Sequence, residues 1–489
     1  MSNQLFYGDN LEVQRRYIKD ESVDLCYIDP PFNSKRNYNQ IYNNVGKEDQ
    51  AQAQAFIDTW TWDDYANQGL EEIQTNYLGR FTAQSIDLIS GLVKVLGKGS
   101  LLAYLVSMTL RVAEIYRVLK PTGSFYLHCD PTASHYLKLV LDTIFCAQGG
   151  DFQNEIIWSY KTGGASKKRF AKKHDVIFFY TKSGKWKFNA QKERSYMMHK
   201  YGFKKSDFQI DSESGLQYSM VYARDVFEIP TVGSESSERL GYPTQKPKLL
   251  LERIIQASTD EGDIVLDAYC GCGTTVAVSQ RLDRQWIGID ITYQTIILIL
   301  KRLEDAFGKG VLETIALNGI PKDMNSAVAL ANKQDDRTRK EFEKWAVLTY
   351  SNNRAVINEK KGADKGIDGI AYFRSEKNDQ EKIILQVKSG KVSSRDIRDL
   401  QGTMTRENAT LGVFITLQKP TRDMLNEAKE AGIYRSQYMS NSVDKIRIVT
   451  IQEIIEEQKR LDILLALEVL KSAEKQMEVK QVTLELDLD

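Results

Sequence analysis

The stretch Leu25–Ile28 (LCYI) is followed directly by the tetrad Asp29-Pro30-Pro31-Phe32. The apolar run predicts a strand, and the two prolines, which cannot donate hydrogen bonds within a sheet, predict that it ends at Asp29. The tetrad therefore lies where open α/β sheets bind their ligands, at the carboxyl end of a strand. Asp29 and a neighbouring carbonyl can accept hydrogen bonds from an exocyclic amine, while Phe32 stacks on the ring that carries it. The alternative is a Pro-Pro turn in which Asp29 only caps the next turn.

The bulk composition is that of a soluble globular protein, and 489 residues are enough for two to four domains. Lys+Arg and Asp+Glu both number 66, so the net charge indicates no partner. The segment 161–205 is different, because it holds fourteen Lys or Arg residues against two acids, with aromatic residues between them. This pattern favours contact with nucleic acid, and the alternative is a solvated lysine-rich loop. The basic residues at its start are Lys161, Lys167, Lys168, Arg169, Lys172 and Lys173.

Cysteine and helix patterns limit the location and the class of the protein. The five cysteines are scattered and odd in number, which predicts reduced thiols and a cytoplasmic location. The run 101–119 contains Arg111, Glu114 and Arg117, so it predicts an amphipathic helix and not a membrane span. No Gly-x-x-x-x-Gly-Lys-Ser/Thr motif is present, so we expect no ATP motor in this chain.

A second motif follows later in the chain. Ile264–Asp267 predicts a strand, the run Tyr269-Cys270-Gly271-Cys272-Gly273-Thr274 a glycine-rich turn into a helix, and Trp286–Ile289 a second strand that ends in Asp290. Glycines let the backbone approach a ligand, and an acid at this place can bind ribose hydroxyls. Strands and helices alternate elsewhere too, except that residues 37–90 are polar and helical in patches and Leu119–Gly123 predicts a turn. The pattern indicates an α/β fold.

The order of these motifs resembles the β-class amino methyltransferases of DNA, over roughly the first 315 residues. In that class the catalytic tetrad precedes the cofactor motif, with a target-recognition region between them, here about residues 151–240. The resemblance implies a Rossmann-like fold, S-adenosylmethionine as cofactor, double-stranded DNA as substrate and, because relatives are often dimers, a homodimer as one assembly. An acid in the first tetrad position implies adenine N6 over cytosine N4.

The same resemblance assigns cofactor contacts. Tyr269, Gly271 and Gly273 would form the wall for methionine and ribose, within the motif that also holds Asp267 and Thr274. Asp290 would take the ribose hydroxyls, Asp9 would contact the cofactor adenine, and Lys246 would help to hold the methionine end.

The second half of the chain predicts another domain after a linker over residues 316–335. Two strands, 367–373 and 382–388, place Gln386 and Lys388 on one face, with Asp368 near it if the strands pair. An acid, an amide oxygen and a lysine can hold Mg²⁺ and position water for phosphodiester hydrolysis, and the alternative is a solvated hairpin.

Residues 336–455 resemble the Mrr-like branch of the PD-(D/E)xK nuclease fold. The resemblance implies Asp368, Gln386 and Lys388 as catalytic residues, with Mg²⁺ on Asp368 and Gln386, and Glu341 or Glu343 as an added acid. Residues 456–489 predict a helical tail. We therefore expect a bifunctional restriction-modification enzyme. The alternatives are a stand-alone methyltransferase whose C-terminal domain only binds DNA, and a DNA-binding regulator with two degenerate folds.

Overall fold

The computed structural model describes residues 3–31, 36–44, 47–58, 60, 62, 64–160, 167–168, 170–196, 207–212, 214–233, 236–240, 242, 244–332, 336–352, 355–357, 366–374, 380–435 and 442–463. The strands are β1 (Asn3–Tyr7), β2 (Val23–Ile28), β3 (Arg36–Asn44), β4 (Lys47–Asp58), β5 (Leu119–Cys129), β6 (Asp151–Ser159), β7 (His174–Thr181), β8 (Lys192–Ser195), β9 (Phe208–Ile210), β10 (Gln217–Tyr222), β11 (Val226–Glu228), β12 (Ile264–Asp267), β13 (Gln285–Asp290), β14 (Ile315–Asn318), β15 (Val356–Ile357), β16 (Gly369–Arg374), β17 (Gln380–Lys388), β18 (Leu411–Thr416), β19 (Ile433–Tyr434), β20 (Val443–Asp444) and β21 (Ile446–Thr450).

The helices alternate with these strands through most of the chain. They are α1 (Asn10–Tyr17), α2 (Asp64–Thr75), α3 (Ala83–Leu96), α4 (Ser100–Val118), α5 (Ser134–Ile144), α6 (Lys248–Ser258), α7 (Thr274–Arg281), α8 (Tyr293–Phe307), α9 (Gly310–Glu313), α10 (Met324–Ala331), α11 (Asp336–Tyr350), α12 (Ser394–Arg406), α13 (Arg422–Glu430) and α14 (Ile451–Glu456). None of the helices in the described part of the chain has the length and apolar character needed to cross a bilayer.

The larger sheet confirms the predicted α/β fold. Nine strands are ordered β11-β6-β7-β5-β2-β12-β13-β1-β14. Only β7 runs against its neighbours β5 and β6, and the remaining pairs are parallel. Every residue of β2 is buried, as expected for a parallel strand covered on both faces. Cys26 and Ile28 pack in the cluster that includes α4, whereas Leu25 and Tyr27 pack in the cluster that includes α6.

Two local predictions differ from the structure in the N-terminal part of the chain. β3 and β4 lie within the segment 37–90 that was expected to be polar and helical in patches, apart from residue 36, and they pair as antiparallel strands. The alternating Gln and Ala residues of β4 have the period of a strand. The Leu119–Gly123 turn is a bulge inside β5, because Val23 pairs with Leu119 but Leu25 pairs with Ser124.

The predicted linker from residue 316 is also shorter than expected. Residues 315–318 form β14, which pairs with β1 at the edge of the larger sheet. The alternation of polar and apolar residues is weak in these four positions, which are all half-buried, so their partner strand identifies them better than their own sequence does.

The C-terminal part forms a separate five-stranded sheet in the order β15-β16-β17-β18-β21. β16 and β17 are antiparallel, whereas β17, β18 and β21 are parallel, with α12 between β17 and β18. The predicted tail helix is not formed over residues 457–463. α14 ends at Glu456, Gln458 has a φ of +50° that a helix cannot contain, and Leu461 and Ile463 are buried. The rest of the predicted tail, 464–489, lies outside the described residues.

The two sheets share one hydrophobic core. Leu5 and Tyr293 of the larger sheet's layer pack in the same cluster as Phe342 and Trp345 of α11 and Leu385 of β17. Phe342 and Trp345 are almost fully buried. The C-terminal sheet is therefore docked on the first one through apolar side chains.

Candidate active site

Asp29 and the glycine-rich turn lie at the carboxyl ends of neighbouring parallel strands. β2 pairs with β12 so that Cys26 faces Leu266. Asp29 follows the end of β2 and the turn follows the end of β12. Strands in a sheet are about 4.8 Å apart, so the two motifs open onto the same edge. This is the topological arrangement in which α/β sheets bind nucleotides.

Lys246 joins these two motifs. Its ammonium donates a hydrogen bond to Oδ2 of Asp29, and both side chains are largely buried. Burial raises the pKa of the Cys272 thiol in the glycine-rich turn, and the positive charges of Arg302 and Lys246 oppose this rise. Lys246 therefore lies between the tetrad and the turn. Pro30 is buried and Pro31 half-buried, while Phe32 lies outside the described residues.

The glycine-rich turn requires two of its glycines. Gly271 and Gly273 have φ values of +46° and +72°, a region that side chains disfavour. A Cβ atom on Gly273 would lie 2.8 Å from Cγ1 of Ile299. Thr274 begins α7 and its hydroxyl accepts a hydrogen bond from Nη1 of Arg302 at 3.0 Å. The turn is thus fixed on one side by α8, which carries Ile299 and Arg302.

Two carboxyl groups lie at this edge of the sheet, of which Asp267 is buried and Asp290 is half-buried. Oδ2 of Asp290 accepts from the N–H of Gly271 at 3.0 Å, and Oδ1 accepts from the N–H and hydroxyl of Thr292 at 2.9 and 2.8 Å. Burial raises the pKa of Asp290 to about 6. Asp267 accepts from the N–H of Tyr269 at 3.0 Å, and burial raises the pKa of Asp267 to about 7. A carboxylate has about four acceptor positions, and three donors from the described residues occupy those of Asp290, so one position is left for a further donor.

A hydrogen-bonded chain that the sequence analysis missed connects Asp9 to β12. Asp9 caps α1 with Oδ1 and accepts from Nη2 of Arg111 with Oδ2 at 2.9 Å. Nε of Arg111 donates to Asn10 at 2.6 Å, and Asn10 donates to the carbonyl of Ala268 at 2.7 Å. The available signal was the Asp-Asn pair before a helix, together with the buried-face position of Arg111 in α4.

A second missed network lies beside the tetrad. His128 is fully buried, with Nδ1 2.9 Å from the hydroxyl of Tyr27 and Nε2 3.2 Å from Oδ2 of Asp175. The hydroxyl of Tyr160 donates to Oδ1 of Asp175 at 3.3 Å. Tyr27 is only two residues before Asp29, so this network supports the end of β2 from the side of β5 and β7. A histidine ending an apolar strand was the signal for it.

The basic residues are only partly placed by the structure. Lys167, Lys168 and Lys172 are exposed and Lys173 is half-buried, whereas Lys161 and Arg169 lie outside the described residues. Phe170 beside them is 99% exposed. A fully exposed aromatic ring among lysines is suited to stack on a base, and so this surface retains the features that a polyanion would bind.

In the C-terminal sheet the three predicted residues come from adjoining strands. The N–H of Asp368 donates to the carbonyl of Leu385 at 3.0 Å, and Oδ2 of Asp368 accepts from the N–H of Val387 at 2.7 Å. Asp368 therefore lies beside Gln386, while Lys388 is exposed two residues later. Oε1 of Gln386 is buried and has no hydrogen-bond partner within the described part of the chain.

The buried amide oxygen of Gln386 and the carboxylate of Asp368 suit a hard cation. A buried amide oxygen without a donor beside a carboxylate matches the oxygen ligands that Mg²⁺ takes. Within the described ranges no three His, Cys, Asp or Glu side chains are grouped as a metal site would be. Of the two predicted additional acids, Glu341 is engaged by Tyr7, Tyr293 and Lys344 and so faces the larger sheet.

The fold and the carboxyl edge of the larger sheet define a Rossmann-like methyltransferase. An α/β domain of nuclease type packs against it. The chain belongs to the DNA methylase family, whose family model matches residues 23–301. A restriction endonuclease family model matches residues 335–456, so the chain carries a domain of each kind. Both resemblances predicted from the motifs are confirmed.

Two relatives and one solved structure are similar to this chain. Type II methyltransferase M.HpaI of Haemophilus parainfluenzae is 34% identical over 40% of this chain and 57% of its own length. DNA adenine methyltransferase YhdJ of Escherichia coli (strain K12) is 27% identical over 62% of this chain and 83% of its own length. The crystal structure of the M1.HpyAVI–SAM complex has 18% identity and a TM-score of 0.34, over 61% of this chain and 99% of that one. The chain thus spans little more than half of M.HpaI.

Proposed function

We propose that this protein methylates adenine N6 in double-stranded DNA with S-adenosylmethionine, and that its second domain cleaves DNA that lacks the mark. The observation that carries the first half is the juxtaposition of Asp29 with the glycine-rich turn at the ends of β2 and β12. Membership of the DNA methylase family supports it. The choice of adenine is supported by the acid in the first tetrad position and by the name of the relative YhdJ.

The donor would lie along the edge formed by the glycine-rich turn and Asp290. The backbone at Gly271 and Gly273 permits close approach, Tyr269 would contact the methionine end together with Lys246, and Asp267 and Thr274 fix the turn. Asp290 would accept from the ribose, and Asp9 would lie at the adenine. When bound, S-adenosylmethionine supplies a methyl group already activated by a sulfonium.

The chain's own residues would orient the acceptor. Asp29 accepts one hydrogen of the target amine, and a carbonyl of the tetrad accepts the other, which directs the nitrogen lone pair at the methyl group. The base must leave the duplex to reach this edge, at a cost of a few kcal/mol, and stacking on Phe32 would offset part of that cost. The basic residues Lys161, Lys167, Lys168, Arg169, Lys172 and Lys173 would hold the phosphates, within a target-recognition insert of about residues 151–240.

The second half of the proposal concerns restriction. Asp368 and Gln386 would bind Mg²⁺, and Lys388 would stabilise charge on the phosphate. The restriction endonuclease family match favours cleavage over DNA binding alone. The proposed organisation is a methyltransferase domain that extends through β14 to residue 318, a linker over 319–335, a nuclease domain over 336–455 and a tail after it, in a chain that would also act as a homodimer.

The methyltransferase proposal is tested with tritiated S-adenosylmethionine and duplex DNA. Wild type should label DNA, and Asp29→Ala should lose label by at least about a hundredfold, because the amine loses its acceptor. Asp87→Asn, an exposed acid of α3, is the matched control and should keep full activity. Sequencing of modified bases in an expressing host then identifies the base and its context. Labelling on cytosine N4 would overturn the adenine assignment.

The nuclease proposal needs unmodified plasmid, Mg²⁺ and the variant Lys388→Ala. Wild type should cut the plasmid and the variant should not, while both keep methyl transfer. Plasmid methylated beforehand by the protein should resist cleavage. Uncut plasmid with wild type under all Mg²⁺ concentrations would leave the methyltransferase standing and remove the restriction role.

A further inference from the structure

A buried carboxylate from the restriction endonuclease domain contacts the methyltransferase sheet. Glu341 lies in α11 and is 4% exposed. Its Oε2 accepts from the hydroxyl of Tyr7 at 3.1 Å and from the N–H of Tyr293 at 3.3 Å. Its Oε1 lies 2.9 Å from the ammonium of Lys344 on the same helix. A buried charge needs such partners, because a desolvated carboxylate without them would be strongly unfavourable.

The two methyltransferase residues that Glu341 contacts flank Asp290. Tyr7 ends β1, and the next residue, Gly8, donates its N–H to the carbonyl of Asp290 at 2.9 Å. Tyr293 begins α8 three residues after Asp290. The rings of Tyr7 and Tyr293 meet edge to face, with centroids 5.8 Å apart. Glu341 therefore connects both segments that hold this acid in place.

The N-terminus of helix α8 provides a backbone hydrogen-bond donor for the Glu341 carboxylate. The residue before it, Thr292, makes no side-chain cap to the helix, because its hydroxyl donates to Asp290 and can accept from the hydroxyl of Thr295. The N–H of Tyr293 is one of the groups at a helix start that have no partner within the helix. An oxygen of Glu341 accepts it, and negative charge is favourable at this end of a helix.

Apolar packing fixes the position of Glu341. Phe342 and Trp345 of α11 lie in the same core cluster as Tyr7 and Tyr293. The hydroxyl of Tyr293 is also 3.3 Å from the hydroxyl of Thr349, one turn beyond Trp345. The contact between α11 and the cofactor edge thus has several points, and Glu341 is its buried polar centre.

We propose that Glu341 is a positioning residue of the methyl-donor site: by holding Tyr7 and Tyr293 it fixes the loop that presents Asp290 to the donor. The inference rests on the proposed function, because it takes the edge around Asp290 as the place where S-adenosylmethionine binds. Coupling between two sites is reciprocal, so donor binding would also stabilise the docking of α11. The restriction domain is then part of the modification site.

The test compares Glu341→Leu with Glu341→Gln, which keeps an oxygen acceptor. Glu341→Leu should raise the dissociation constant for S-adenosylmethionine by about tenfold, and kcat at saturating donor should stay within about twofold, because the amine side of the site is intact. Glu341→Gln should rescue most of the affinity. Glu430→Leu, the same change at an exposed acid of α13, should leave it unchanged.

A second variant keeps the inference testable if Glu341→Leu does not fold. Tyr7→Phe removes only the hydroxyl that donates to Glu341, and it should weaken donor binding by about threefold. In wild type, S-adenosylmethionine should slow amide hydrogen exchange over residues 340–350, and Glu341→Leu or Tyr7→Phe should reduce this effect. Unchanged donor affinity in a folded variant overturns the inference. Failure of wild type to bind the donor at all overturns the proposed function instead.

Discussion

Lys246 and Asp29 form an ion pair across 217 residues of sequence, at the point where the tetrad and the glycine-rich turn meet. The pair places a fixed positive charge against the acceptor that the target amine would use. Since hydrogen bonds between charged groups are stronger than neutral ones, this contact sets the orientation of Asp29.

Replacing Lys246 by Met should lower kcat/KM for DNA methylation by about tenfold to a hundredfold, the range expected for loss of a hydrogen bond between charged groups. The carboxylate of Asp29 would stay largely buried without its cation and lose its orientation. Steady-state methyl transfer at several DNA concentrations measures the change. Lys248→Met, two residues along the chain, is the control, and equal activity of the two variants would contradict the role of the ion pair.

Donor affinity should depend on pH through Asp290. Burial raises the pKa of this carboxyl to about 6, so at pH 5 it is mostly protonated and is a weaker acceptor for ribose hydroxyls than the carboxylate. The dissociation constant for S-adenosylmethionine should therefore fall by about tenfold between pH 5 and pH 7 and change little above that. Calorimetric titrations at fixed ionic strength measure it. Asp290→Asn should bind more weakly and lose this pH dependence.

The same group also affects stability without donor. Because the folded protein binds this proton more tightly than the unfolded chain, Asp290 lowers stability as the pH rises from about 4 to about 6. Urea unfolding of wild type and Asp290→Asn should show a smaller decline for the variant across that range. Parallel declines would assign the pH dependence to other groups.

Gly273→Ala should destabilise the protein by about 2 kcal/mol, because the residue has a φ of +72° and its Cβ would press on Ile299. Chemical denaturation measures the change. Gly91→Ala in α3 is the matched control, since no atom lies within 4 Å of its Cβ position. It should raise stability by about 0.5–1 kcal/mol as a helix-favouring substitution. A neutral result at Gly273 would mean that the turn relaxes around the new methyl group.

Gln386→Glu should lower the Mg²⁺ concentration for half-maximal cleavage by about tenfold, because a carboxylate attracts the cation more strongly than an amide oxygen. In this variant two carboxylates, at positions 368 and 386, would lie side by side, so the melting temperature should depend more strongly on the Mg²⁺ concentration. Plasmid cleavage and melting curves over a Mg²⁺ series measure both effects. Gln401→Glu on the exposed side of α12 controls for added charge, and an identical response of both variants would remove Gln386 from the metal site.

Short sequence motifs predicted the elements whose boundaries the motifs themselves contain. The apolar run ending in two prolines predicted β2, and the glycine-rich turn between a strand and a helix predicted β12 and α7, because each motif carries its own boundaries. The sequence could not predict β14, which is a strand through its pairing with β1. Nor could it predict that the tail helix ends at Glu456, which depends on a single residue with positive φ and on packing against α11.

The candidate site follows the same division. Asp29, Gly271 and Asp290 belong to motifs, so their spacing along the chain predicts them as site residues. Other parts of the site depend on contacts between segments that are far apart in the sequence. They are the ion pair of Asp29 with Lys246, the His128 network and the contacts of Glu341. Residue spacing along the chain cannot predict such contacts. Glu341 was considered only for nuclease chemistry, because its helix precedes the nuclease strands.

The shared hydrophobic core that contains Tyr293 and Trp345 also limits which deletions the gene can tolerate. A truncation that removed either half would expose a large hydrophobic surface on the other half. The remaining fragment would then be prone to aggregation or degradation. Under the proposed role, a lineage could not easily discard the protective activity while retaining a well-folded cutter. The two activities would be inherited, transferred and lost together.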